Sequence, residues 1–347
     1  MKKSSVLLIY TGGTIGMIKD PETDRLKAID FELIYDHVPE LKRFETEITC
    51  ISTEEPIDSS EMLPSNWLDL SELIQENYSN YDGFVILHGS DTMAYTASAL
   101  SFLIQGTKKP IILTGSQLPI GTIRTDGREN LITAIEIASA KDKFNRSIVQ
   151  EVAVYFEYSL YRGNRCSKIS ANQFEAFQSP NFPQLAVAGV NIAYNYEYLH
   201  RSSLQNPIFS SKLHSKIGLF KIYPGIPMES YKELFNIERL SAIVIETFGS
   251  GNAPANKTFQ ECLKKYIGEG GVVVNITQCN SGFVQQSAYA TSAFLKKIGV
   301  ISGRDLTTEA AVTKLMYLFD NIENKKEIVQ LLKIDLCGEM TMIKNKE

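Results

Sequence analysis

Residues 83–100 of the chain read GFVILHGSDTMAYTASAL, an apolar run followed by a polar cluster and a second apolar stretch. The run Phe84–His88 has the length and composition of a buried strand, and the residues after the cluster have the spacing of a helix. Between them Ser90, Asp91 and Thr92 stand at the start of the predicted helix, where backbone N–H groups stabilise negative charge. Helix capping by Ser90 or Asp91 explains one such residue well, but it explains the whole cluster poorly.

The chain begins with a second arrangement of this kind. Ser5–Tyr10 is a short apolar run, and Thr11–Gly16, with the sequence TGGTIG, follows it directly. Adjacent glycines allow a sharp turn that exposes backbone N–H groups, so Thr14 is held just past the carboxyl end of the strand. A glycine-rich turn after a first strand is also typical of phosphate-binding sites, and this motif alone leaves both functions open.

Short apolar runs alternate with amphipathic helices along the chain, which is the pattern of doubly wound α/β sheets. Further strands are predicted at Glu47–Ile51, Pro110–Thr114, Val152–Phe156, Ile217–Ile222, Ala242–Thr247 and Gly271–Thr277, and helices at Asn66–Tyr78, Arg128–Ala140 and Lys257–Ile267. Residues 191–215 are polar and have no period. We therefore predict two doubly wound α/β domains, a larger one over residues 1–190 and a smaller one over 216–347, joined by a linker over 191–215. The active site is expected at the carboxyl ends of the N-terminal parallel strands.

The composition favours a compact enzyme. With 347 residues, 44% of them hydrophobic, the chain can bury a large core. The net charge of −5 is spread without a basic block, so we expect no nucleic acid partner. No run approaches the roughly 20 apolar residues of a membrane-spanning helix, so we expect no membrane contact. The five cysteines and four histidines are scattered without metal-binding spacing, which favours a cytoplasmic protein with reduced thiols, no metal and no cofactor.

A nucleophilic hydroxyl at neutral pH needs a base or a nearby cation. Among the histidines only His88 is close to the polar cluster, and we predict that it faces the core from its strand. Lys168, in the segment YRGNRCSK, is the alternative because small polar residues flank it and a desolvated lysine can act as a base. Spacing alone is a weak argument for it, since most lysines are solvated.

Several segments together match the motifs of one family. They are TGGTIG at Thr11–Gly16, IDSSEM at Ile57–Met62, GFVILHGSDTMAYTASAL at Gly83–Leu100, LTGSQLP at Leu113–Pro119, YRGNR at Tyr161–Arg165, FGSGNAP at Phe248–Pro254 and VVNITQC at Val273–Cys279. With these motifs in this order, the chain resembles bacterial type I L-asparaginases of the asparaginase/glutaminase family. The resemblance extends over nearly the whole length.

The resemblance implies hydrolysis of L-asparagine to L-aspartate and ammonia through a threonine nucleophile and an acyl-enzyme, with minor activity on glutamine. Thr14 corresponds to the family's primary nucleophile. Ser90, Asp91 and Lys168 correspond to a second catalytic cluster, in which the lysine polarises the hydroxyl. Ser90 and Asp91 also contact the substrate, and Asp91 binds its α-amino group.

The resemblance also implies the residues that bind the substrate. Asp58, Ser59 and Ser60 match the family's loop for the α-carboxylate, and Ser116 is expected nearby. Asn252 matches a residue that completes the active site of a neighbouring subunit, which implies a homodimer or a homotetramer. Judged by itself, an asparagine beside glycine is more often a turn residue.

The loop Ile18–Ala28 departs from the family pattern. Many relatives place there a tyrosine that is hydrogen-bonded to the nucleophile, but this loop contains none, and Leu26 stands near that position. Either Tyr35 or the backbone then orients Thr14, or this chain works without such a group.

Two single positions also depart from the pattern. Ser90 stands where the family usually has threonine, and serine keeps the hydroxyl but lacks the methyl group that restricts χ1. We therefore expect activity with a more loosely oriented hydroxyl. Some relatives bind asparagine as an effector near the segment matching Thr277–Cys279, but Glu246 occupies a position where a cation is expected to meet the effector's carboxylate.

Three other functions were weighed against the sequence. A nucleotide-dependent oxidoreductase would need GxGxxG and an acidic residue about 20 positions later, and Gly12–Gly16 has the wrong spacing. An asparagine-binding sensor would explain Ser90 and the missing tyrosine, but it would not need Thr14, Asp91 and Lys168 together. An amidotransferase that feeds ammonia to a tRNA-linked partner would need an additional N-terminal domain, which we do not expect here.

Overall fold

A computed structural model describes residues 3–19, 26–28, 34–53, 55–286 and 290–342. The chain divides into two compact units, Met1–Ser211 and Lys212–Glu347. In the first unit the strands are β1 (Ser5–Tyr10), β2 (Met17–Lys19), β3 (Leu26–Ala28), β4 (Glu47–Ser52), β5 (Gly83–Leu87), β6 (Ile104–Gln105), β7 (Ile111–Thr114), β8 (Val152–Phe156), β9 (Ser159–Arg162), β10 (Ser167–Lys168), β11 (Phe177–Gln178), β12 (Ala186–Ala188), β13 (Ile192–Tyr194) and β14 (Ile208–Phe209). The helices are α1 (Ile34–His37), α2 (Pro64–Asn77), α3 (Met93–Leu103) and α4 (Gly127–Ser139).

The main sheet of the first unit has the strand order β13-β12-β9-β8-β7-β5-β1-β4. Strands β4, β1, β5, β7 and β8 are parallel, which confirms the predicted α/β class, whereas β9, β12 and β13 are antiparallel to their neighbours. The hairpin from β8 to β9 has no signal in the sequence. Its turn residues Glu157 and Tyr158 have φ values of 43° and 65°, a conformation for which glycine or asparagine is the usual signal.

Strand β1 shows why helices cover both faces of the sheet. Val6, Leu8 and Tyr10 pack in one apolar cluster with α4, whereas Leu7 and Ile9 project to the opposite face and are equally buried. A strand that is apolar on both faces is typical of a parallel sheet between two helical layers. The strand order reverses at β1, since β4 lies on one side and β5 on the other. Ligands of α/β sheets bind beside such a reversal, at the carboxyl ends of the strands.

The segment 191–215 differs from the predicted linker. Its strand β13 pairs with β12 at the edge of the main sheet, and its strand β14 pairs with β6. The first unit therefore continues past residue 190, and the second unit begins at Lys212. These strands are three and two residues long, which is too short to produce a readable period.

The second unit contains a smaller parallel sheet with the order β15-β16-β17-β18. Its strands are β15 (Ile217–Lys221), β16 (Ala242–Thr247), β17 (Val272–Thr277) and β18 (Ile301–Ser302), and its helices are α5 (Met228–Tyr231), α6 (Lys257–Gly268), α7 (Ala290–Lys297), α8 (Thr308–Asn321) and α9 (Lys325–Leu331). Val244 belongs to one apolar cluster, and Ile243 and Ile245 belong to another, so this sheet is also covered on both faces. None of the helices described in either unit is both long and apolar enough to cross a bilayer.

Candidate active site

Three turns meet at the carboxyl ends of β1, β4 and β5, and glycines allow their close approach. A Cβ atom on Gly13 would lie 2.4 Å from the backbone nitrogen of Gly89, and one on Gly12 would lie 2.2 Å from the carbonyl oxygen of Ile57. A Cβ atom on Gly89 would lie 2.5 Å from the hydroxyl oxygen of Ser59. Only residues without a side chain fit these places, so the three turns form one continuous surface.

Thr14 begins a short 3-10 turn, Thr14–Gly16, directly after the glycine pair. The turn is joined to the neighbouring strand by Thr11, whose backbone N–H and hydroxyl donate to the carbonyl oxygen of Leu87 at 3.0 and 2.9 Å. The Tyr10 hydroxyl donates to the carbonyl oxygen of Gly16 at 3.1 Å, and burial raises the pKa of Tyr10 to about 12. Thr14 itself is half-buried, and its hydroxyl makes no hydrogen bond among the described residues.

Lys168 joins the second group of predicted side chains. Its ammonium group donates to the Ser90 hydroxyl oxygen at 2.8 Å and to Oδ1 of Asp91 at 2.6 Å. The side chain of Lys168 is 15% exposed, whereas that of Asp91 is 66% exposed, so the ion pair is open to solvent on the carboxylate side. A positive charge next to a hydroxyl oxygen favours loss of the hydroxyl proton. The structure thus brings together the three residues that were grouped from the sequence.

Helix α3 explains how Lys168 reaches Ser90 from a distant part of the chain. A Cβ atom on Gly163 would lie 3.1 Å from the Cβ atom of Ala97, and the Ser98 hydroxyl donates to the carbonyl oxygen of Gly163 at 3.4 Å. The segment before Lys168 is therefore packed against the same helix that follows Ser90. Strand β10, which contains Lys168, is further held by antiparallel pairing with β11.

Helix capping does not account for the polar cluster. The N-cap residue of α3 is Thr92, whose side chain makes no capping bond and instead donates to the carbonyl oxygen of Ser59 at 2.6 Å. Ser90 and Asp91 contact Lys168. The hydroxyl and the carboxylate therefore remain at the surface of the site, close to the helix N-terminus.

The predicted carboxylate-binding loop lies beside this cluster. Oδ1 of Asp58 accepts hydrogen bonds from the backbone N–H and the hydroxyl of Ser60, both at 2.9 Å. These two bonds hold the pKa of Asp58 below its usual range. Ser59 is buried against Gly89, whereas Asp58 and Ser60 are exposed. Ser116 is buried, and its hydroxyl donates to the carbonyl oxygen of Leu118 at 2.6 Å, so this hydroxyl serves its own turn.

His88 faces the core, as predicted. It is fully buried, with Nδ1 2.7 Å from the carbonyl oxygen of Gly89 and Nε2 2.8 Å from the hydroxyl oxygen of Thr96. Because the carbonyl oxygen of Gly89 can only accept, Nδ1 carries the proton and Nε2 of the neutral ring accepts from the Thr96 hydroxyl, whose oxygen accepts from Trp67 at 2.9 Å. Burial lowers the pKa of His88 to about 4. This imidazole is therefore neutral and supports the backbone before Ser90. No spacing in the sequence indicated this chain of hydrogen bonds.

Tyr35 does not take the place of the missing loop tyrosine. Its hydroxyl donates to the carbonyl oxygen of Ile48 in β4 at 3.2 Å, so it is turned toward the sheet. The tyrosine that supports the turn of Thr14 is Tyr10, which the sequence presents as an ordinary core residue at the end of β1. Residues 20–25 of the loop and the side chain of Leu26 lie outside the described residues.

Asn252 lies in the second unit, in a tight turn after β16. Phe248 and Asn252 exchange backbone hydrogen bonds of 2.9 and 2.8 Å, and Gly249 and Gly251 have positive φ. The turn explains the glycines of FGSGNAP. The contribution of the Asn252 side chain to a neighbouring active site remains a prediction.

A serine, a histidine and an aspartate also meet in the second unit. Nε2 of His214 lies 2.8 Å from the Ser241 hydroxyl oxygen, and its Nδ1 lies 3.1 Å from Oδ1 of Asp320. A hydrolase triad also needs donors for the developing oxyanion. The N–H of Ser241 is bonded to the carbonyl oxygen of Lys216 at the amino end of β16. This group is therefore a weaker candidate than the site at the carboxyl ends of β1 and β5. Within the described ranges, no cluster of three or more His, Cys, Asp or Glu residues could hold a metal ion.

Known proteins match both units. Residues 5–200 match the family described as "Asparaginase, N-terminal", and residues 216–332 match the "Glutaminase/Asparaginase C-terminal domain". L-asparaginase 1 of Escherichia coli K12 is 40% identical over 342 residues, which cover 98% of this chain and 99% of that protein. The crystal structure of L-asparaginase I from Vibrio cholerae has a TM-score of 0.88 and 38% identity, with 98% of this chain and 100% of that chain covered. The thermostable L-asparaginase from Thermococcus kodakarensis has a TM-score of 0.87 and 29% identity, with the same coverage.

Proposed function

The chain belongs to the asparaginase family, and we propose that it hydrolyses the side-chain amide of L-asparagine to L-aspartate and ammonia. The observation that supports this proposal most directly is the contact of Lys168 with Ser90 and Asp91, beside the turn that carries Thr14. Two hydroxyl groups, one cation and one exposed carboxylate then lie at the strand-order reversal of the sheet. This set suits attack on a carbonyl carbon in a substrate that also has an amino group.

The substrate is proposed to bind through its two charged ends. The exposed carboxylate of Asp91 binds the α-amino group, and the loop Asp58–Ser60 binds the α-carboxylate. Holding both ends places the side-chain amide over Thr14 in a geometry ready for attack, which lowers the entropic part of the barrier.

In the first half of the proposed reaction, Thr14 Oγ1 attacks the amide carbon. The C–N bond breaks, the proton of the Thr14 hydroxyl ends on the leaving nitrogen, and ammonia departs from an ester between Thr14 and the substrate. Negative charge on the substrate oxygen is stabilised by the Lys168 ammonium and by the N-terminal end of α3.

In the second half, water attacks the ester carbon. The bond to Thr14 Oγ1 breaks, one proton of the water returns to Thr14, and L-aspartate leaves. Ser90 accepts a hydrogen bond from Lys168, so its own hydroxyl proton can point toward the reacting groups and pass a proton along. Neither half needs a metal or an organic cofactor.

The assay of ammonia release from asparagine and glutamine tests this function. We expect release from asparagine by the wild-type protein, no release by Thr14→Ala, and partial release by the control Thr14→Ser, which keeps the hydroxyl. Glutamine is expected to be a poorer substrate, because one extra methylene in a fitted pocket changes the rate by about 10- to 200-fold. Binding of asparagine by wild type without any release would favour the sensor instead.

We further propose a cytoplasmic homodimer or homotetramer in which Asn252 completes the site of a neighbouring subunit. The proposal is supported by the family match of the motif FGSGNAP, residues 248–254, which forms the tight turn in the second unit. Its test mixes two inactive variants, Lys168→Met and Asn252→Ala, after dissociation and reassembly. Recovered activity in the mixture is expected, because some hybrid sites then contain both wild-type residues. A mixture as inactive as its components contradicts a shared site.

A further inference from the structure

A cavity lies within the second unit. Its volume is about 680 Å³. No Asp or Glu stands among the described residues that line it, although the whole chain has 40 acidic and 35 basic residues. Its apolar walls include Phe283, Val300 and Val329, and its charged residues are Lys296, Arg304 and Lys333.

Three side chains give the described lining of this cavity a positive charge. Within the described part of the chain, none of them forms an ion pair with a carboxylate. Arg304 donates to a backbone carbonyl oxygen, that of Thr341, at 3.3 Å. The backbone of Arg304 has a φ of 53°, a conformation that residues other than glycine rarely adopt. A concave surface with charges of one sign concentrates counter-ions, in this case anions.

Gln286 provides an independent indication of a ligand. It lines the same cavity, is 6% exposed, and its amide nitrogen has no hydrogen-bond partner among the described residues. Buried amide groups in proteins are nearly always hydrogen-bonded, so such a group calls for an acceptor that is supplied from outside. Because this nitrogen has almost no accessible surface, the Gln286 side chain must rotate toward the cavity to donate to an anionic oxygen there.

We propose that this cavity binds a small organic anion with an apolar body, of the class of medium-chain carboxylates. The acid group meets Lys296, Arg304 and Lys333 and accepts a hydrogen bond from the Gln286 amide, while the apolar walls cover the rest of the molecule. The volume lies in the range of small-molecule sites, and the lining combines apolar walls with polar and charged groups. This inference does not depend on the asparaginase activity.

Decanoate is the probe that tests the proposal, with its binding followed by displacement of anilinonaphthalene sulfonate fluorescence. Saturating L-aspartate is added so that the proposed active site is occupied. We expect saturable binding by the wild-type protein and at least about a tenfold loss of affinity in the double variant Lys296→Gln/Lys333→Gln. The matched control is Lys297→Gln, because Lys297 is exposed and adjacent to Lys296 but does not line the cavity, and it is expected to keep the wild-type affinity.

The variant Gln286→Leu separates ligand binding from a structural role. It is expected to weaken decanoate binding but to raise the melting temperature of the free protein, because it removes a buried amide group that has no partner. The proposal is overturned if wild type shows no saturable binding, or if Lys297→Gln loses as much affinity as the double variant. Equal competition by inorganic phosphate contradicts an apolar body. If the double variant has a different molecular mass from the wild type in light scattering but keeps the wild-type affinity for decanoate, the cavity belongs to a contact between copies of the chain. That result also overturns the proposal.

Discussion

Gly13 and Gly89 are packed so closely that a Cβ atom on Gly13 would overlap the backbone nitrogen of Gly89, at 2.4 Å. This contact joins the turn of Thr14 to the turn of Ser90. Gly13 also has a φ of +86°, which disfavours any residue with a side chain. The relative position of the hydroxyl groups of Thr14 and Ser90 therefore depends on two residues that have no side chain at all.

Gly13→Ala is accordingly expected to remove most of the activity. The added Cβ atom must push the two turns apart, and a displacement of about 1 Å at a catalytic group lowers rates by about 100-fold. The measurement is kcat/KM for ammonia release. The control is Gly268→Ala at the end of α6, where an added Cβ atom has nothing within 4 Å, and it should keep wild-type activity. Equal activity of the two variants would contradict the role of this contact.

The contact between Gly13 and Gly89 also shows how far the sequence could predict this site. Apolar runs such as β1 and β5 are long enough to be recognised, and adjacent glycines indicate a turn. Which backbone that turn touches depends on the strand order, and a local pattern does not contain this information. Lys168 could be grouped with Ser90 only through the family resemblance. Its position results from the packing of Gly163 on α3, which no local sequence pattern indicates.

Other features left no readable signal in the sequence. The short strand β13 is indistinguishable from a loop, so the predicted linker began too early. The support that Tyr10 gives to the turn of Thr14 has no signal either, because strand residues alternate in and out and its apolar ring alone accounts for burial.

Ser90→Thr is expected to preserve activity and to raise kcat by about twofold. The added methyl group restricts χ1 and reduces the rotamer freedom that is lost when the hydroxyl is held beside Lys168. Ser90→Ala, which removes the hydroxyl, should lower kcat by at least about 100-fold. Steady-state kinetics with asparagine measure both effects. A tenfold lower kcat for Ser90→Thr would show that the site has no room for the methyl group.

Because of His88, the free energy of unfolding is expected to decrease as the pH falls from about 6.5 to about 4. Catalysis should not be affected by His88 in this range. Burial lowers its pKa from 6.5 to about 4 in the folded protein, so in this range the unfolded chain binds a proton that the native protein does not. The stability due to the neutral imidazole is complete above pH 6.5 and decreases by about 3 kcal/mol as the pH falls to 4. Urea unfolding at a series of pH values measures this decrease.

The variant His88→Gln is the control for this pH effect. Glutamine can donate to the carbonyl oxygen of Gly89 but does not titrate, so the decrease between pH 6.5 and 4 should become smaller. A direct check is the NMR titration of the His88 ring. A midpoint near 6.5 would show that the ring is solvated, contrary to its burial.

The dependence of rate on asparagine concentration is expected to be hyperbolic. Glu246 is 8% exposed, accepts a hydrogen bond from the Thr308 hydroxyl at 2.6 Å and lies 3.4 Å from the Lys221 ammonium. Its negative charge repels the carboxylate of an asparagine molecule at this place. Initial rates from far below to far above KM test this, and a sigmoidal curve for wild type would contradict it. Glu246→Gln removes the charge and keeps the bond to Thr308, so cooperativity in this variant alone would identify the charge as the obstacle.

Glu339→Gln is expected to destabilise the second unit strongly. The ammonium group of Lys314 lies 2.6 Å from the Glu339 carboxylate, and both side chains are fully buried. Burial works to raise the pKa of Glu339, but the charge of Lys314 and several hydrogen bonds hold this pKa below its usual value of 4.5. Neutralising one partner leaves a buried charge without compensation, which costs about 3–5 kcal/mol. Hydrogen exchange of peptides from α8 measures the loss within the second unit.

The exposed pair Lys265 and Glu269 in the same unit provides the control, because it lies 3.8 Å apart one helical turn along the chain. Glu269→Gln should change stability by less than about 0.5 kcal/mol. Because the folded-state pKa of Glu339 is lowered, the stabilisation by its carboxylate is complete above about pH 4.5 and is lost as the pH falls further. Glu339→Gln should therefore weaken the acid sensitivity of the second unit below pH 4.5, whereas Glu269→Gln should leave it unchanged. Equal losses of stability in Glu339→Gln and Glu269→Gln at neutral pH would contradict this prediction. They would show that water reaches the Lys314 ammonium and that burial of the pair does not determine the loss.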